Sequence, residues 1–138
     1  MSALERLLAD CAMARSALNA CGFPIAILED STNRPVVYVN AAFEASFGVR
    51  ATEALGHSLG ALVFRDDEAQ VHRMLAEQAP RRMTRAWAKD GTQRPVELTL
   101  NPVRNAEGAI THWILAFSDR SELERLRAEL DSLRRLAA

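Results

Sequence analysis

Few of the residues that mark specialised chemistry occur in this chain, and each shortage excludes something. Its two cysteines, Cys11 and Cys21, are too few for a disulfide framework and have no partner at metal-ligand spacing. Reduced thiols in a cytoplasmic setting are therefore the expectation. Six glycines are scattered without forming a phosphate-cradling loop. His57 and His112 have no carboxylate or cysteine at ligand spacing, which leaves metal binding unsupported. Neither charge sign dominates: 17 basic against 18 acidic residues give a net charge of −1. That balance makes no general case for nucleic acid or an anionic membrane. No apolar run approaches the length of a membrane span. Met1 to Ala20 has early acidic residues and an amphipathic centre, so no signal peptide is expected. Repeats and low-complexity segments are also missing. What remains, 49% apolar and 25% charged over 138 residues, is the make-up of one globular domain with a single core.

Periodicity and punctuation give the element order. Leu4, Leu7, Leu8, Cys11, Ala14 and Leu18 recur at helical steps and predict an amphipathic helix over residues 1–21, stopped by Gly22. Phe23 to Leu28 and Val36 to Val39 read as two strands joined by the turn-forming Ser31 to Pro35. Asn40 is a natural N-cap for a short helix burying Phe43 and Phe47 and closed by Gly48. Short apolar segments follow near Leu55 and over Leu59, Leu62 and Val63. A longer helix then starts at Asp66-Asp67-Glu68, where negative charge complements the helix dipole. Its buried face is Val71, Met74 and Leu75. Lys89-Asp90-Gly91-Thr92 predicts a hairpin between Met83–Ala88 and an alternating strand holding Val96, Leu98 and Leu100. A second turn, Asn105 to Gly108, leads to a last strand over Ile110 to Phe117, and a charged helix follows Ser118-Asp119. Two hairpins separated by helices predict an α+β domain: a five-stranded antiparallel sheet with helices on one face.

That order, with these corner residues, resembles the PAS fold over roughly Phe23 to Glu122. Tyr38-Val39-Asn40-Ala41-Ala42-Phe43 looks like the family's second strand entering its first core helix. Glu53-Ala54-Leu55-Gly56 resembles the helix before its pocket, and Leu62-Val63-Phe64-Arg65-Asp66-Asp67 the segment after it. Lys89-Asp90-Gly91-Thr92 is similar to the later hairpin, and Ser118-Asp119-Arg120-Ser121-Glu122 to the exit into a signalling helix. The resemblance implies a PAS core over residues 22–119 between helical extensions at 1–21 and 120–138. It also implies a surface salt bridge between Glu53 and Lys89.

Within the family, the short bacterial light-oxygen-voltage (LOV) members look most similar. Their resemblance implies flavin mononucleotide and a light-driven bond from a cysteine to it, and here the pattern departs. The cysteine's slot falls on Leu59, the phosphate-binding arginine's on Gly60, and a glutamine's on Val63. Two flavin-gripping asparagines fall on Ala86 and Val96, and the last strand's glutamine on Phe117. Each flavin polar group buried without a partner costs about 1–3 kcal/mol, so no cofactor is expected. The interior is read as packed shut or nearly so; the alternative is an apolar cavity for an uncharged ligand, lined by Leu59, Val63, Ala86, Val96 and Phe117. A flavin photoreceptor with altered contacts is the other alternative.

The remaining polar residues have plain readings. His72 lies on the helix where some PAS proteins hold haem, but away from the ligand's place, and is read as solvent-facing. Ser58 beside His57 is no catalytic pair, and the Arg81, Arg82 and Arg85 cluster suits a solvated strand edge. No catalytic constellation is present, so an enzyme is not expected. The terminal helices carry the stronger signal. Leu123, Leu126, Leu130 and Leu133, flanked by charges, have coiled-coil spacing. A homodimer is expected in which Leu4, Leu7, Leu8, Cys11 and Leu18 pack with that seam; the alternative is a single helix laid back over the sheet. The predicted role is a non-catalytic sensory module that relays a signal to an effector domain or partner protein, with neither nucleic acid nor membrane contacted directly.

Overall fold

Capping chemistry sets the element boundaries. The computed structural model describes residues 12–137, so Leu4, Leu7, Leu8 and Cys11 lie outside the described residues. Helix α1 (Ala12–Ala20) precedes strands β1 (Ile25–Glu29) and β2 (Val36–Val39). Four short helices follow: α2 (Ala41–Phe47), α3 (Ala51–Ala54), α4 (Leu59–Val63) and α5 (Glu68–Glu77). Strands β3 (Arg81–Trp87), β4 (Gln93–Arg104) and β5 (Ile110–Asp119) and helix α6 (Ser121–Ala137) complete the chain. The side chains of Asn40, Ser58 and Asp67 each accept from a backbone N–H three residues on, opening α2, α4 and α5. This satisfies donors that the first turn of a helix leaves unpaired. Gly48, at φ 69°, closes α2 in the left-handed region that glycine adopts without steric cost.

All strand pairs are antiparallel, in the order β2-β1-β5-β4-β3. Period-two alternation puts Ala26, Leu28, Val39, Leu98, Leu100, Trp113 and Leu115 on one face, where they form a single cluster with α2 to α5. Ile25, Ile27 and Tyr38 point the other way and form a second, smaller cluster with Leu18 and Cys21. The end of α1 therefore covers part of the outer face. β3 is an edge strand, and its arginines are engaged at the surface: Arg82 with Glu77 and Arg85 with Glu124.

Strand β4 is longer than the alternation of Val96 to Leu100 predicts, because it runs through two prolines. Both sit where a neighbouring strand has ended. Leu100 N–H donates to Pro80 on the β3 side, so Pro102, two residues on, directs its missing donor where β3 no longer pairs. Pro95 accepts from Arg120 N–H at 2.8 Å, just past the end of β5. A proline costs a sheet little where no ladder bond is due.

Helix α6 does not lie back over the sheet. Its side chains are exposed from Ser121 to Leu136. Among the described residues, its root alone is tied down, by Arg120 to Glu97 at 2.7 Å, Arg85 to Glu124 at 3.5 Å and Arg94 to Asp119 at 3.7 Å.

Candidate functional site

The five positions singled out for a pocket converge. Leu59 and Val63 project from α4 at i and i+4, while Ala86, Val96 and Phe117 come from β3, β4 and β5. Their exposures are 1%, 0%, 0%, 2% and 1%, and all five belong to the main core cluster. Phe117 meets the rings of Phe43 and Phe47 edge-on, with centroids 5.8 and 5.3 Å apart, and those two rings lie 4.9 Å from each other. Such ring pairs contribute about 0.5–1.5 kcal/mol each beyond their buried area. The space next to Phe117 is thus occupied by the protein's own aromatic side chains.

These residues do not fit a flavin. None of the five side chains carries a hydrogen-bond donor or acceptor. A polar pair on the inner side, Gln70 and Thr84, is engaged with itself at 2.6 Å. At Gly60, the place of the phosphate-binding arginine, the Glu68 carboxylate comes within 2.8 Å of where a Cβ would stand. The Ser58 hydroxyl donates to that carboxylate, fixing a negative charge where a phosphate would need a positive one. The sequence reading missed Glu68, whose only signal was its position at the start of α5.

Open space lies elsewhere. A surface cleft of about 480 Å³ is lined by Val49, Leu62, Arg65 and Trp87, with Glu53 and Lys89 at its margin. The Arg65 guanidinium sits 4.7 Å over the Trp87 ring. Lys89 donates to Glu53 at 2.7 Å, the salt bridge that the resemblance implied, and this hydrogen bond holds the Glu53 carboxyl below its ordinary value. A smaller recess of about 250 Å³ touches Val96 and Phe117 from the side of Gly22 to Pro24. Neither space is lined by Leu59, Val63 or Ala86.

Asn40 does more than cap. Fully buried, its Oδ1 accepts from Ile25 N–H at 2.8 Å and Phe43 N–H at 3.0 Å. Its Nδ2 donates to the carbonyls of Leu18 and Phe23 at 2.8 and 2.9 Å. One amide thereby uses two donor and two acceptor sites to join the end of α1, the start of β1 and the first turn of α2. Asn19 adds to the joint, accepting from Tyr38 Oη–H and Ala41 N–H. A cap is readable from sequence; three segments meeting at it are not.

The predicted interface residues separate into two environments. Leu18 is half-buried against its own chain's outer-face cluster. Leu123, Leu126, Leu130 and Leu133 are 37%, 49%, 47% and 63% exposed and form one apolar line along α6. His72 is exposed, and its Nδ1 accepts from the Arg34 guanidinium at 3.0 Å. Among the described residues, no three His, Cys, Asp or Glu gather as metal ligands, and no helix is long and apolar enough to cross a membrane.

Comparison with known proteins gives a consistent picture. The PAS-fold family pattern matches residues 18–125. Adagio-like protein 3 of Oryza sativa subsp. japonica is 37% identical over 94 residues, covering 58% of this chain and 15% of its own. An RNA-binding light-oxygen-voltage receptor superposes with a TM-score of 0.77 at 26% identity, over 97% of this chain and 40% of that one. A further light-oxygen-voltage domain, at 20% identity and a TM-score of 0.66 over 92% of this chain and 98% of its own, is alike in fold. The chain thus spans well under half the length of the plant relative and of the RNA-binding receptor.

Proposed function

This chain belongs to the PAS-fold family and is a sensory domain of the PAS/LOV type, and from that premise we propose a non-catalytic module that homodimerises through its terminal helices. It relays a change in that pairing to an effector domain or partner protein, without flavin photochemistry. The observation that carries this reading is the line of exposed leucines on α6 beside an interior whose five candidate pocket positions are all apolar and buried. Apolar side chains exposed in a contiguous line along a helix mark an interaction surface. The coiled-coil spacing of that line suits a second helix of the same kind. A net charge of −1 supports a protein partner rather than direct contact with nucleic acid or a membrane. A cytoplasmic setting with reduced thiols accords with the sparse cysteines.

The second reading, a flavin photoreceptor with altered contacts, draws support from the likeness to light-oxygen-voltage proteins. Five apolar side chains and a carboxylate at the phosphate end weigh against it. A small apolar ligand is the remaining possibility for the interior. It would have to displace packed groups at Leu59, Val63, Ala86, Val96 and Phe117, because interiors are filled to near-crystalline density.

Native mass spectrometry on the purified chain, before and after incubation with flavin mononucleotide, tests these readings together. A colourless dimer that retains no small molecule is expected. A yellow protein with structured blue absorption would replace the first reading by the second. Leu133→Arg is expected to shift the dimer to monomer, and an unchanged mass would remove the helical pairing.

A further inference from the structure

From the charges beside the leucine seam we infer that two copies of α6 pair as a parallel, in-register coiled coil, with the direction chosen by electrostatics. This rests on the pairing proposed above and adds its geometry. Steps of three, four and three place Leu123 and Leu130 at a positions and Leu126 and Leu133 at d positions of a heptad. The flanking g positions are then Glu122 and Glu129, and the e positions Arg127 and Arg134. In a parallel pair, each g residue faces the e residue five places further along the other helix. Glu122 meets Arg127 of the second copy, and Glu129 meets Arg134. The two-fold axis repeats both contacts, giving four attractive pairs.

Reversing one helix reverses the outcome. In an antiparallel pair g faces g and e faces e, so glutamates oppose glutamates and arginines oppose arginines. The same four residues that stabilise one direction thus disfavour the other, which is how a short seam acquires specificity. The single chain leaves these groups available. Glu122 and Glu129 are held only loosely by Arg125 on their own helix, at 3.9 and 3.7 Å. Among the described residues, Arg127 and Arg134 have no carboxylate partner. Leu136 occupies the next g position and is 83% exposed, so the charge pattern covers two heptads and ends there.

The root of α6 agrees with a helix presented for pairing. Ion pairs to Glu97 and Arg85 fix its first turn to β4 and β3. Beyond that turn, leucine exposure rises from 37% at Leu123 to 63% at Leu133, as the helix leaves the sheet. A parallel pair sets both sensor cores at the same end and both carboxyl termini together at the other. An effector following the chain would then be presented in two adjacent copies.

A charge-swapped variant, E122R/R127E/E129R/R134E, tests direction separately from pairing. In a parallel dimer it restores four attractive pairs with itself but opposes like charges against the original chain. In an antiparallel arrangement the mixed pair is the favoured one. The variant and the 15N-labelled original, each as the 138-residue chain, are mixed, dissociated by dilution, re-concentrated and weighed by native mass spectrometry. Two separate homodimers are expected, with mixed dimer well below the statistical share of about one half. Mixed dimer at or above that share overturns the parallel assignment while leaving the pairing intact. If neither protein dimerises, alone or mixed, the pairing fails and the direction with it. As an independent readout, Leu133→Cys in a Cys11→Ser, Cys21→Ser background is expected to form a disulfide-linked dimer on mild oxidation, because d residues face each other only in register. A dimer that does not cross-link there is out of register or antiparallel.

Discussion

Leucine behaves in opposite ways in the two halves of this molecule. Leu59, Leu98 and Leu115 are buried to 1% or less beneath the sheet, whereas Leu126, Leu130 and Leu133 stand about half exposed or more on α6. The first group is satisfied within one chain and has no unmet demand. The second leaves apolar surface in water, and burying it returns about 25 cal/mol per Å². In this chain the interior supplies stability and the exposed helix supplies the unfinished contact.

The largest expected effect tests whether the interior is saturated. Phe117→Ala removes a ring that touches two others and should cost about 3–5 kcal/mol in urea unfolding. A loss below about 1 kcal/mol would reveal a loosely filled space and revive a ligand there. Asn40→Ala comes next. It removes a helix cap and strands buried backbone groups, costing about 3 kcal/mol, with hydrogen exchange rising over residues 12–20. Leu126→Arg belongs to the other half: unfolding of the isolated monomer should move by no more than about 0.5 kcal/mol, while sedimentation should show the proposed dimer lost. A core-sized destabilisation there would show that α6 is part of the fold and not a free surface.

The smallest effect is an acid one at the junction of the two halves. Asp119 accepts from Ser121 N–H at 2.8 Å and opens α6. Partial burial pushes its carboxyl up, but the hydrogen bonds from Ser121 outweigh this and hold it below the ordinary 3.8. A lowered folded value means that the stabilising contribution is full above that ordinary value and is lost as pH falls through the folded one. The first turn of α6 should therefore fray below about pH 4, seen as faster exchange at residues 121–124. Asp119→Asn should abolish that acid dependence.

Much of the fold was legible because turn chemistry is local. Asn40, Asp67, Gly48 and Gly91 each act on backbone within a few residues, so their identities mark boundaries directly, whereas the cap at Ser58 went unread. Burial of Leu59, Val63, Ala86, Val96 and Phe117 followed from alternation and from resemblance. Strand β4 was under-read because its prolines are acceptable only where β3 and β5 happen to end, which is a tertiary fact. The carboxylate of Glu68 over Gly60 joins residues on two helices, and no periodicity reports such a meeting. The direction of α6, away from the sheet, likewise depends on Arg120 finding Glu97 on another strand.

Asn40 has one more implication. Its amide is shared between the outer-face helix and the inner helices, so neither can be displaced without cost to the other. Anything that lifts α1, whether a binding protein or a second subunit, withdraws a hydrogen bond from the same side chain that anchors Phe43 N–H. Displacements on opposite sides of the sheet therefore draw on the same four hydrogen bonds of one residue.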